Sequence, residues 1–378
     1  MSSDEVKSVL RLTTIDGDSG WYHLSVRKPS WVLRRIRGGE IEQIIAGDCG
    51  TASEKISSGF TVDWQIRQTD LSGLTGLNTP SIEQHEEWNT ICSILEVKYN
   101  AGEINIASNE GSDDPLIIPT TRLRKFYEFL RSICWKHFHL AIGHGIAQYP
   151  KQLALLCQVS NKEFSVYRNS EPLLPRKRNK LPPMTRAGIA GTNDFVSILQ
   201  NSPEPYSVHG MPALNFRYIE REVSPRRTTN ANFATGESGK SSGTGGMDIL
   251  LYSEDGNLPI IGEVKVGNDT NPFLALIQAL TYAVELSTQN QLQRLRKWVK
   301  SVYNIELSGL DDRVDIYIIS VEQNEDEIVK VVKKIVEGLY SPTIDKILPK
   351  LIRRIVYLKA SWNGNQLNFE CVFSHGEV

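Results

Sequence analysis

Met247-Asp248-Ile249-Leu250-Leu251-Tyr252 and, beyond a short polar turn, Pro259-Ile260-Ile261-Gly262-Glu263-Val264-Lys265-Val266 are two apolar runs that between them carry three charged residues. Both are rich in Ile, Leu and Val, and the intervening Ser253-Glu254-Asp255-Gly256-Asn257 holds Asp-Gly, so the pair reads as a β-hairpin with a slightly long loop. Side chains two apart on a strand share a face, which sets Glu263 and Lys265 on the same side, roughly 6.5 to 7 Å apart along the backbone. Asp248 can join them from the partner strand. An unpaired buried charge is costly, so a strand this apolar should not carry an acid and a base without a use for them.

Two carboxylates converging beside an ammonium have such a use. Magnesium prefers oxygen ligands and is commonly held by one or two carboxylates together with a phosphate of the substrate. A charged lysine is no ligand, but it stabilises negative charge on a phosphate oxygen or orients an attacking water. The constellation suits phosphodiester hydrolysis. A self-contained ion pair among the three residues is the plainer alternative.

The next segment bears on that choice. Asp269-Thr270-Asn271-Pro272 has the form of a helix start, and Phe273, Leu276, Ile277, Leu280, Ala283, Val284 and Leu286 follow at helical spacing. Gln278 and Tyr282 lie four apart and share a face of that helix. Asp248, then Glu263-Val264-Lys265, then Gln278-Ala279-Leu280-Thr281-Tyr282 as a QxxxY helix together resemble the PD-(D/E)xK nuclease superfamily, and within it the RecB-like branch. The resemblance covers the C-terminal half, from about Leu214 onward. Met247-Asp248 stands where the family has Pro-Asp.

The resemblance implies a restriction-endonuclease-like mixed sheet flanked by helices. It implies that Asp248 and Glu263 bind Mg2+ or Mn2+ with the backbone carbonyl of Val264, that Lys265 is the catalytic lysine, and that Gln278 and Tyr282 face the site. A further upstream acid or histidine is usual in the family; Glu220, Glu222 and His209 are the candidates, and the sequence does not choose among them. No cysteine cluster follows the motif, so an iron-sulfur centre is not expected.

Composition bounds the rest. The 378 residues allow two domains of ordinary core size, at about 150 residues each. No apolar run is long enough to span a bilayer and the polar start Met1-Ser2-Ser3-Asp4-Glu5 is not a signal peptide, so a cytoplasmic protein is expected. Five scattered cysteines lack metal spacing and read as reduced core residues. A net charge of −2 leaves phosphate binding to local basic groups. Arg226-Arg227 is favoured because it shortly precedes the hairpin; Arg176-Lys177-Arg178 with Lys180 and Arg186, and Arg294, Arg296, Lys297 and Lys300, are the other clusters.

Residues 1–170 read as a β-rich α+β domain for substrate choice or assembly, with strands around Val9–Leu12, Gly20–Val26, Ile41–Ala46 and Phe60–Ile66 and a helix from Thr120 to about Leu140. Residues 171–190 have the proline-rich, basic composition of a linker, and 191–378 form the nuclease domain. After the linker come a short helix at Thr192–Gln200, a strand at Leu214–Val223, and, past the Gln-Tyr helix, a strand at Val314–Val321, a helix at Glu325–Leu339 and a hairpin across Asn363-Gly364-Asn365. Three weaker motifs compete. Glu96-Val97-Lys98 repeats the ExK triplet without a leading Asp. His137, His139 and His144 lack a zinc spacing. Ala234-Thr235-Gly236-Glu237-Ser238-Gly239-Lys240-Ser241 fits a permissive P-loop but has no buried strand before it or helix after it. The expected function is a metal-dependent nuclease acting on nucleic acid, DNA ahead of RNA, in restriction, repair or anti-phage defence, as a homo-oligomer or with a protein partner, away from membranes. The alternatives are a catalytically silent binding or assembly module with the same fold, and a P-loop NTPase using Lys240.

Overall fold

The computed structural model describes residues 5–14, 19–27, 30–37, 40–48 and 60–67 and most residues from 121 to 377, with 134–142, 169–178 and 226–245 among those left undescribed. The chain divides into two compact units. The first comprises Met1–Glu96 with Glu128–Gly145, and the second comprises Val97–Tyr127 with Ile146–Val378. Residues 146–170 therefore group with the second unit.

Five strands of the first unit, β1 (Glu5–Thr14), β2 (Ser19–Arg27), β3 (Ser30–Arg37), β4 (Glu40–Asp48) and β5 (Phe60–Arg67), form one sheet in the order β4-β3-β2-β1-β5, each pair antiparallel. Three arginines break the apolar alternation of Ser30–Arg37 and hide that strand in the sequence.

The second unit is an α/β structure. Its strands are β6 (Phe216–Val223), β7 (Met247–Ser253), β8 (Pro259–Val266), β9 (Val314–Val321), β10 (Ile352–Trp362) and β11 (Leu367–Gly376). They make a six-stranded mixed sheet in the order β11-β10-β9-β8-β7-β6. The centre, β8-β9-β10, is parallel, and antiparallel pairing lies on each side. Both β8 and β9 are buried along their whole length, as central strands covered on two faces must be.

Helices α1 (Arg122–Ile133), which belongs to this unit as far as Tyr127, α2 (Pro150–Ser165), α3 (Thr192–Leu199), α4 (Pro272–Leu286), α5 (Gln289–Tyr303) and α6 (Glu327–Leu339) accompany these strands. On one face of the sheet, Phe195, Val196 and Leu199 of α3 meet Ile249, Leu251, Ile260 and Val264. On the other face α4 packs against β8 and β9 and is itself covered by α2 and α6. Position Asn271 is the helix cap that the sequence suggests: its side chain accepts the Leu274 N–H at 3.0 Å, and Pro272 occupies the first turn.

A buried ionic cluster braces the sheet. Asp315 at the start of β9 accepts both Arg353 and Arg354, at 2.5–2.9 Å, and Asp255 of the β7–β8 turn binds the same two guanidinium groups. Neighbouring residues on a strand ordinarily face opposite ways. A register shift between Ile352 and Arg354 lets both reach one carboxylate. Removing one member of such a buried cluster leaves uncompensated charge. Asp315→Ala should therefore lower the unfolding free energy by about 3–5 kcal/mol in urea denaturation; a loss below about 1 kcal/mol, the scale of an exposed pair, would show that the cluster carries no such weight.

Candidate active site

The pairing of β7 with β8 ends at Ile249 opposite Gly262, whereas β7 stays paired with β6 as far as Met247 opposite Val223. Beyond that point β8 keeps β9 on one side only, through Val266. The N–H of Val264, which an intact ladder would hand to a carbonyl of β7, is donated instead to Oδ2 of Asp248 at 2.8 Å. In an extended strand the N–H and C=O of one residue point to the same side. The carbonyl of Val264 thus faces the same opening as the Asp248 carboxylate.

Gly262 marks the divergence. A side chain there would run into Ile249 across the hairpin, so glycine allows the two strands to approach before they part.

Glu263 lies next to this opening and is fully buried; among the described residues its carboxyl has no hydrogen-bonded cation, and it meets the carboxyl of Asp248. Burial holds its pKa well above the ordinary carboxylate range; the charge of Asp248 pushes it further the same way, and Lys265 opposes both. Lys265 is buried two residues on. The hairpin thus brings Asp248, Glu263 and Lys265 into one electrostatic unit, as their spacing suggests.

Gln278 and Tyr282 stand on α4, Gln278 half-buried and Tyr282 buried. Burial raises the Tyr282 phenol, Arg124 lowers it and the charge of Glu263 raises it again, which places the ring in the field of the site. The guanidinium carbon of Arg124 lies 5.2 Å from the ring centroid.

The upstream acids separate. A register shift between Tyr218 and Glu220 turns Glu220 onto the strand face of Leu250, where Tyr303 Oη donates to it at 2.5 Å and its other oxygen accepts the Arg221 N–H. Those bonds engage both carboxylate oxygens of Glu220. Glu222 has φ 49° and is exposed; it lines a cleft of about 380 Å³ with Asp248, Arg221 and the start of α3. His209 lines a different groove, with Lys359 and Glu370.

Arg226 and Arg227, the P-loop-like segment, Glu96-Val97-Lys98, His137, His139 and His144 lie outside the described residues. The expected basic cluster on α5 does not hold together. Arg294 is buried, donates to the Pro225 carbonyl at 2.7 Å and has its pKa lowered by burial to about 10. Arg296 pairs with Asp312 and Lys300 with Glu306. Helical spacing turns Arg294 inward while its neighbours face outward. Among the described residues the free thiols are Cys157 and Cys371; burial pushes Cys157 up to about 12, so it is not a nucleophile.

The donor set fits a hard divalent cation. Two carboxylates and a carbonyl lie where a strand ladder is interrupted, and one carboxylate is buried with no hydrogen-bonded cation among the described residues. Among the described residues no three His, Cys, Asp or Glu side chains gather as a metal cage. Among the same residues no helix is long and apolar enough to cross a membrane. Compared with protein-family models, curated proteins and solved structures, the chain matches none.

Arg124 is not legible in the sequence as part of the site; it lies far from the hairpin along the chain, and nothing local marks it. Arg221, which lines the cleft beside Asp248, stands on a strand that the sequence predicts but in no motif that singles it out.

A buried, unpartnered carboxylate costs stability. Its raised pKa sets the sign: the wild type is favoured below the ordinary Glu range and loses that advantage as pH rises through the folded-state pKa. In EDTA, Glu263→Gln should be more stable than wild type by about 1–3 kcal/mol at neutral pH, with the difference shrinking as the pH is lowered. Denaturant titrations across that range check this, and a variant no more stable at neutral pH would mean that Glu263 bears no charge penalty.

Proposed function

We propose that the second unit is a metal-dependent nuclease of the PD-(D/E)xK type, with DNA ahead of RNA as its substrate. The observation that carries this reading is Glu263, fully buried with no hydrogen-bonded cation among the described residues, against Asp248 at the point where β7 leaves β8. A self-satisfied ion pair, the plainer alternative, would bond Glu263 to a cation, and among the described residues it bonds to none. The order α3, β6, the β7–β8 hairpin, α4, β9 supports the restriction-endonuclease-like form of the reading.

In this proposal Asp248, Glu263 and the Val264 carbonyl hold Mg2+ or Mn2+. Bound there, the cation supplies Lewis acidity and neutralises phosphate charge. Lys265 sets its ammonium against the growing negative charge on a phosphate oxygen, or donates to the attacking water and so orients it. Gln278, half-exposed on α4, offers an amide to substrate or water, and Tyr282 backs Glu263 from the same helix face. Burial serves the chemistry, because each of these interactions is stronger away from bulk water. A cytoplasmic role in restriction, repair or defence, with nucleic acid and a second subunit or protein as partners, is the setting this reading favours.

Labelled single- and double-stranded DNA and RNA, incubated with Mg2+, Mn2+ or EDTA, test it. Wild type should cut only with metal, and Asp248→Ala, Glu263→Gln and Lys265→Ala should each lower the rate by at least about a hundredfold. By calorimetry Mg2+ binding should vanish in Asp248→Ala and persist in Lys265→Ala. Wild-type cleavage by Lys265→Ala would defeat the assignment. Metal binding without cleavage of any substrate would favour the catalytically silent module.

A further inference from the structure

Arg124 approaches α4 from far upstream and is held from several directions. The first turn of α1, where N–H groups lack helical partners, is anchored by side chains: the Arg122 N–H donates to Glu163 at 2.9 Å, Leu123 N–H to Ser160 at 2.9 Å, and Arg124 N–H to Thr121 at 3.2 Å. Glu163 and Ser160 belong to α2, which is tied in turn to α4 by Asn161 donating to the Val284 carbonyl at 2.8 Å. The Arg124 guanidinium then makes a forked pair with Glu285, Nε to Oε1 at 2.7 Å and Nη2 to Oε2 at 2.5 Å, both side chains completely buried.

Glu285 is three residues beyond Tyr282 on α4 and so shares its face. The fork with Glu285 leaves the flat side of the guanidinium for the Tyr282 ring, 5.2 Å away. A desolvated guanidinium over an aromatic face is attracted by the ring quadrupole, more strongly than at an exposed site. Lysine offers neither the planar face nor the fork. Stability alone does not call for this arrangement, since apolar side chains of similar volume usually replace a buried ion pair at little or no cost.

We propose that Arg124 is a positioning residue of the active site: held by Glu285, it clamps the ring of Tyr282 and so fixes the phenol beside Glu263. This rests on the nuclease reading for its catalytic consequence, but the clamp itself is a property of the fold. It makes the start of α1, up to Tyr127, and the helix α2 part of the machinery of the Gln-Tyr helix.

The test uses the full chain and three variants: Arg124→Lys, the paired Arg124→Met/Glu285→Leu, which removes both charges together, and Tyr282→Phe. The paired variant should unfold at close to the wild-type denaturant midpoint. Its kcat should nonetheless fall about ten- to a hundredfold with KM for DNA and affinity for Mg2+ unchanged, and adding Tyr282→Phe to it should cost nothing further. Arg124→Lys should keep the fold and lose much of the same kcat. Tyrosine-selective ring NMR, with the Tyr282 signal assigned by its absence in Tyr282→Phe, reads the clamp without catalysis; the signal should shift and its ring flip quicken in the paired variant. An unchanged Tyr282 signal overturns the proposal whether or not the protein cuts DNA. A shifted signal with unchanged kcat overturns the active-site role, as does a kcat loss that only follows a fall in stability. If wild type cuts nothing, the nuclease reading fails and the catalytic role with it, while the ring signal still decides whether Arg124 holds Tyr282.

Discussion

One interrupted rung holds the candidate site together. Backbone N–H groups withdrawn from water must find acceptors, and at Val264 the acceptor is a side chain, Asp248, because β7 has already left β8. Three consequences follow from that substitution. The Asp248 carboxylate is fixed in the gap between strands, the Val264 carbonyl faces the same gap, and Glu263, on the strand that stays buried, is brought next to a second negative charge. Gly262 permits the parting and β6 keeps β7 in the sheet while it happens. A continuous ladder would stabilise the hairpin more and leave no room for chemistry.

The surrounding layers answer the cost of this arrangement. Glu263 is a destabilising residue in a metal-free protein, and the surroundings of α4 are correspondingly over-determined. Ion pairs of Arg124 with Glu285 and of Asp315 with Arg353 and Arg354 lie inside the unit, each hydrogen-bonded rather than merely close. Such pairs add little net stability against apolar replacements but fix geometry, because a buried guanidinium has few satisfactory orientations. Under the proposed nuclease reading, rigid support suits a site whose carboxylates must hold their places before a cation is bound.

Much of the second unit is legible in the sequence, and for local reasons. Asp255-Gly256 between two apolar runs, Asn271-Pro272 before a helical repeat, and Asn363-Gly364-Asn365 between strands are turn and cap signals whose physics is contained in a few neighbouring residues. The juxtaposition of Asp248, Glu263 and Lys265 is legible for the same reason, since strand periodicity and one tight turn determine it. Inferences that need tertiary knowledge fail. Charge clustering on α5 suggests a basic surface, but helical rotation sends Arg294 into the interior. Glu220 and Glu222 are equivalent along the chain, yet Glu220 is buried against Tyr303 while Glu222, with a left-handed backbone, lies exposed at the cleft beside Asp248. The helix α5 is itself hidden, because Gln, Arg and Lys fill its exposed positions and mask the apolar stripe of Leu292, Leu295, Trp298 and Val299. Arg124 leaves no local trace at all.

The parallel pairing of β8 with β9 also sets an order of assembly. Asp248, Glu263 and Lys265 belong to one hairpin, whose closure spans few residues and loses little chain entropy. Joining β8 to β9 requires α4 and α5 to be laid down between them, and Arg124 reaches Glu285 across 161 residues. Contacts of such separation form late and slowly. The acidic pair is therefore assembled by local folding while its buttress is still absent, so that the strained half of the site is made first and the half that steadies it is made last.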